Sequence, residues 1–111
     1  MATRRVTIVR VDAKLAWEVR RYQDGDWLAI CDPLGLTLQA ETWANLMEDI
    51  SLTLDAMLRD LLKSNDLDQF LKERKWKLLG PIPQTRGDIR FDVPFFPMKM
   101  GPNGSTGKVY Q

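Results

Sequence analysis

Residues 23–42 read Q-D-G-D-W-L-A-I-C-D-P-L-G-L-T-L-Q-A-E-T, and a long amphipathic segment follows as far as Leu62. This stretch decides the fold. Asp24-Gly25 is the turn chemistry of a tight hairpin, because glycine tolerates the positive φ that such a turn needs. Trp27 to Cys31 is apolar on both faces, as a strand inside a sheet should be. Asp32-Pro33-Leu34-Gly35 then breaks the strand, since proline removes a ladder donor and glycine permits a bend. Leu36, Leu38 and Ala40 alternate with Thr37, Gln39 and Glu41, which predicts a further strand. Thr42 follows as an N-cap whose hydroxyl can accept from an amide of the first helical turn. Trp43, Met47, Ile50, Leu54, Met57 and Leu61 recur at steps of four and three. They predict one apolar stripe on a helix of about five to six turns.

The flanks extend this unit. Val6 and Ile8 mark one face of a strand over Arg4 to Val11. Trp17 and Val19 mark one face of a second, Ala16 to Tyr22, opposite Glu18 and Arg20. Asp66 with Gln69 three residues later has the form of a capping box and predicts a short helix over Leu67 to about Arg74. Trp76, Leu78 and Leu79 suggest a short strand. Gly80 to Gly87, with two prolines, reads as a loop. Arg90 to Phe96 reads as an edge strand, because Pro94 is tolerated only where one side is unpaired. The expected class is α+β: a small antiparallel sheet of three to five strands, one long helix packed across one face, and a short second helix. One domain is expected over residues 1–99, with 100–111 a tail of turn-forming composition.

Composition bounds the chemistry. The chain has 111 residues, 44% hydrophobic and 28% charged, an ordinary balance for a globular domain able to bury its own core. No apolar run is long enough for a membrane span, and the N-terminus lacks the apolar region of a signal peptide. A single cysteine allows no internal disulfide, so a cytoplasmic location is expected. Histidine is absent, which removes Ser-His and Cys-His nucleophile pairs and, with one cysteine, a structural zinc site. Cys31 therefore reads as a small buried hydrophobe. Asp24 and Asp26 belong to a turn, and Asp32 lies at the far end of a strand, on the order of 15–20 Å away at about 3.3 Å per residue. They do not form the converging carboxylate set of a two-metal nuclease. No catalytic, cofactor-binding or metal-ligating residues are assigned.

Net charge is +1, but it is segregated. The first 21 residues are basic, Glu41 to Asp68 is acidic, and Lys72, Arg74, Lys75 and Lys77 form a second basic cluster. Arg4, Arg5, Arg20, Arg21, Trp17 and Tyr22 have the residue types of an RNA-binding strand face. Alternation, however, places Trp17 opposite Arg20 and Tyr22, which argues against stacking.

The order of elements from Asp24 to Ala44 resembles the core of the HicB-like antitoxins. The shared parts are an acidic-glycine turn (Asp24-Gly25-Asp26), an apolar strand (Trp27 to Cys31), a proline-glycine corner (Pro33-Leu34-Gly35), and an acidic-Thr junction (Glu41-Thr42) before the helix. Ala40 stands where that family usually has glycine, and Trp43-Ala44-Asn45 replaces its usual Glu-Glu-Ala helix start. The resemblance implies a partial ribonuclease-H-like fold, a homo-oligomer, and a non-enzymatic protein that binds and neutralises a small, basic, mRNA-cleaving toxin. Glu48, Asp49, Asp55 and Asp60 on the helix are the expected partner-binding face, and Phe91, Val93 and Phe95 the expected dimer edge. No helix-turn-helix or ribbon-helix-helix pattern follows Asn65, so DNA binding is not expected. The alternative reading is a free-standing homodimeric domain that binds RNA or a small ligand.

Overall fold

The structure, a computed structural model, describes residues 6–22, 24–82 and 88–99. The expected tail and most of the predicted 80–87 loop lie outside them. Among the described residues, seven strands and two helices occur in the order β1 (Val6–Asp12), β2 (Ala16–Arg21), β3 (Trp27–Cys31), β4 (Leu36–Ala40), α1 (Trp43–Lys63), α2 (Leu67–Arg74), β5 (Lys77–Leu78), β6 (Asp88–Asp92) and β7 (Phe96–Lys99), with a 3-10 turn at Asp32–Leu34. The α+β class, the long helix and the short second helix are as expected. The strands are shared between two sheets, ordered β5-β1-β6 and β4-β3-β2-β7. No helix among the described residues is long and apolar enough to cross a membrane.

The described residues divide into two compact units. Those within 6–14 and 51–94 form the first, and those within 15–50 and 95–99 the second, so α1 contributes Trp43–Ile50 to the second and the rest of its length to the first.

In the first unit, β1 pairs antiparallel with β5 and parallel with β6, with Val9 opposite Phe91. Val9 and Val11 point into the core beside Leu54, Leu58, Leu67, Leu71 and Phe91. Val6 and Ile8 do share a face, as alternation requires, but that face is exposed. Helix α2 starts at the expected residue without the expected capping box. The Asp66 carboxylate accepts from the Ser64 hydroxyl (2.8 Å), and Gln69 pairs with Glu73 (2.9 Å).

In the second unit, β2, β3 and β4 form an antiparallel meander, and β7 adds to β2 in parallel. The hairpin turn is closed by Asp24, whose carboxylate accepts the Asp26 amide at 3.0 Å, with Gly25 at φ 97°. Gly35 ends the corner in the left-handed region at φ 66°, where a side chain would be strained. Trp17, Val19, Ala29 and Cys31 line the inner face with Leu46 and Ile50 of α1. Each such large side chain contributes roughly 1.5–3 kcal/mol by leaving water.

The segment read as one edge strand, Arg90 to Phe96, is two strands. β6 ends at Asp92 and β7 begins at Phe96, and Pro94 lies in the break. Phe96 donates its amide to the Leu15 carbonyl at 2.7 Å. Amides alternate sides along a strand, so the next position, Pro97, faces away from β2, where the ladder requires no donor.

Candidate interaction surface

Helix α1 is capped by Thr42, whose hydroxyl accepts the Asn45 amide at 3.0 Å. That cap satisfies one orphan donor and fixes the helical phase. The buried seam runs Leu46, Ile50, Leu54, Leu58, all fully buried. Trp43, Met47, Met57 and Leu61, which the apolar spacing placed at its centre, are only partly buried.

Of the four carboxylates expected to meet a partner, three face outward to different degrees. Glu48 is exposed and Asp49 half-buried in the second unit, and Asp60 is exposed in the first. Asp55 is not part of such a face. It is buried, and both its oxygens are engaged: Oδ1 accepts the Phe91 amide at 2.8 Å, and Oδ2 accepts Arg59 Nε at 3.1 Å and Nη2 at 3.0 Å. The backbone amide of β6 is thus held by a helix carboxylate rather than by another strand. A polar residue next to Leu54, about 100° round the helix, looks solvated in sequence because nothing local announces the strand that covers it.

The expected dimer edge comprises Phe91, Val93 and Phe95. Phe91 and Val93 are buried in the core of their own unit, and Phe95 is half-buried. Phe96 and Met98 of β7, which sequence reasoning did not assign to the edge, are exposed, as are Val6, Ile8, Leu52 and Leu79 elsewhere. Phe96 and Met98 stand opposite Ala16 and Glu18, on the face of the sheet away from Trp17, where Leu28 and Ile30 are half-buried. Their i, i+2 spacing was the available signal, hidden because Phe95-Phe96 was read with the preceding strand.

At one end of the second unit, Trp27 and Trp43 meet edge to face at 5.1 Å. Lys99 Nζ lies 5.1 Å from the Trp43 ring centre and 5.6 Å from that of Trp27, and the Arg21 guanidinium is 5.2 Å from Trp27. Each such contact stabilises by about 0.5–1 kcal/mol at a partly exposed site, and together they seal the end of the core.

The remaining carboxylates of the hairpin are committed locally. Asp24 holds the turn, and Asp26 accepts from Gln39 Nε2 at 2.9 Å. Among the described residues no three of His, Cys, Asp and Glu are grouped as a metal site. Burial raises the Cys31 thiol above its ordinary pKa. A backbone hydrogen bond at Leu34 opposes this and the nearby Asp32 adds to it, so the sulfur is held as a protonated, fully buried thiol. Comparison with family models, with curated proteins and with solved structures finds no match to this chain.

Proposed function

We propose that this chain is a non-enzymatic protein-binding module of the kind its resemblance to the HicB-like antitoxins implies, and that it neutralises a small, basic, mRNA-cleaving ribonuclease by covering it. The observation that carries the reading is the run of the second unit from the Asp24-Gly25 turn through β3, the corner at Asp32–Leu34 and β4 to the Thr42-capped helix. These are the elements the resemblance requires, in its order. In that run Asp24 closes the turn and Asp26 accepts from Gln39, and the outward acids of α1 add to the exposed Asp32 and Glu41 as charged surface. Glu48 and Asp49 are the contacts proposed in the second unit and Asp60 in the first. Such rim charges act mainly on association rate and on choice of partner.

The test is capture of the partner by the full chain, followed by an RNA-cleavage assay. A bound protein should be silent in the complex and cleave mRNA once released. The double substitution Glu48→Lys/Asp49→Lys, and Asp60→Lys separately, should each slow association at least about tenfold, an effect that shrinks as salt rises. Capture unchanged by both, or a captured protein without ribonuclease activity, would overturn the reading.

The homo-oligomer implied by the resemblance is assigned to the outer face of β7. Replacing Phe96 and Met98 with aspartate should convert a dimer to a monomer in analytical ultracentrifugation while leaving thermal stability within about 1 kcal/mol, since both side chains are exposed. A dimer that survives both changes would remove β7 from the interface.

A further inference from the structure

Strand β4 is one edge of the second unit's sheet, paired among the described residues with β3 alone. Native sheets ordinarily blunt such an edge with a charge, a proline or a bulge. The opposite edge follows that rule, since β7 contains Pro97 and Lys99. β4 does not. Its residues, Leu36-Thr37-Leu38-Gln39-Ala40, include no charge and no proline, and its register with β3 runs unbroken from Trp27 opposite Ala40 to Cys31 opposite Leu36.

The backbone groups on that edge follow from the hairpin. Tyr22 donates its amide to the Asp26 carbonyl at 2.7 Å, so the backbone of Asp26 faces β2, and alternation turns Leu28 and Ile30 the same way. Trp27, Ala29 and Cys31 therefore face β4, where they stand opposite Ala40, Leu38 and Leu36. Those three direct their N–H and C=O groups at β3. Thr37 and Gln39 direct theirs the other way, off the sheet. The Gln39 side chain is drawn back toward the hairpin, its Nε2 donating to Asp26 Oδ2 at 2.9 Å. Leu36, Leu38 and Ala40, on the inner face, are half-buried, whereas Ala29 and Cys31 beside them are fully buried.

This pattern is complementary to itself, as a contact about a two-fold axis requires. With the axis at Leu38 and the strands antiparallel, Thr37 of each copy lies opposite Gln39 of the other. Every outward N–H and C=O of both strands is then bonded. Setting Thr37 opposite Thr37, or Gln39 opposite Gln39, leaves half of them without a partner in the strand. In the complete register Leu36 meets Ala40 and Leu38 meets Leu38 on the inner face, and Thr37 meets Gln39 on the outer. Glu41 falls opposite Gly35, so no like charges face each other. We propose that β4 pairs in this register with β4 of a second copy, joining two sheets into one. The contact is separate from the β7 face. It is also small, so half-association is expected near about 100 µM, above the concentrations that would hold a β7 dimer.

The experiment follows amide exchange by NMR in the full chain, labelled with nitrogen-15. Between about 20 µM and about 1 mM, the Thr37 and Gln39 amides should slow about threefold while those of α2 keep their rates. The response should survive replacement of Phe96 and Met98 by aspartate, which separates this contact from β7. Thr37→Pro removes a donor that the chain's own ladder does not use, so it should abolish the slowing with the fold intact. A second variant reads the register without proline. Leu38→Cys should cross-link to itself on mild oxidation about tenfold faster than Ala56→Cys on the exposed side of α1, because opposed residues of a non-hydrogen-bonded pair stand within reach of a disulfide. Cys31 is fully buried and does not compete. Exchange at Thr37 and Gln39 independent of the chain's own concentration, as an edge reserved for a foreign strand would show, would overturn the proposal. So would slowing undiminished in Thr37→Pro, or cross-linking at Leu38 no faster than at Ala56.

Discussion

Replacing Asp55 with alanine is expected to lower the unfolding free energy by about 2–3 kcal/mol, although a helical wheel would place the residue in solvent. The reasoning separates its two partners. The Phe91 amide is buried and depends on Oδ1 at 2.8 Å, so losing the carboxylate strands a donor away from water. That loss alone is worth about 1–3 kcal/mol. Arg59 is nearly half exposed and regains water on losing its partner, so its share is at the level of a surface pair, below about 1 kcal/mol. Asparagine should be milder, near 1 kcal/mol, because it retains an acceptor for Phe91 while presenting an amide to a cation. Urea unfolding midpoints and the exchange rate of the Phe91 amide measure both parts. A midpoint for Asp55→Ala indistinguishable from that of the parent chain would show that the buried bond contributes nothing net.

A second large effect is expected at Trp17, and its size depends on what replaces the indole. Trp17 is fully buried in the second unit, so alanine should cost about 3–5 kcal/mol through lost transfer energy and the void left behind. Phenylalanine should cost far less than its loss of volume suggests. The indole Nε1 is buried without a hydrogen-bond partner among the described residues, a burden of about 1–3 kcal/mol that phenylalanine removes. The two terms are of similar size, so Trp17→Phe should lie within about 1 kcal/mol of the parent chain by thermal or urea unfolding. A phenylalanine variant as unstable as the alanine one would mean that the ring's fit, rather than its polar atom, decides the site.

How far such residues could be foreseen depended on whether their determinants were local. The Asp24-Gly25 turn, the Trp27–Cys31 strand and the Gly35 corner were legible because each is specified by the conformational preference of a few adjacent residues. The Thr42 cap and the span of α2 were legible for the same reason. The parallel pairings of β1 with β6 and β2 with β7 join residues about eighty positions apart and carry no neighbouring signal. With them went the division of the strands into two sheets and the inward turn of Phe91 and Val93. The acidic set is divided for a related reason. Glu48, Asp49 and Asp60 follow the amphipathic pattern, whereas Asp55 answers to a backbone amide thirty-six residues away.

Pro97 has a consequence for the chain when it is crowded or incompletely folded. β7 is the last strand of its sheet, and such a strand ordinarily offers a row of amides on which another chain can grow. Here, of the two positions that face outward, Pro97 carries no hydrogen to donate and Lys99 carries a charge, while the inward Phe96 keeps its bond to Leu15. A nascent or partly unraveled copy that still displays this strand is therefore a poor template for cross-β growth. Phe96 and Met98 can remain apolar and exposed on the sheet's face without making its edge a seed for fibrils.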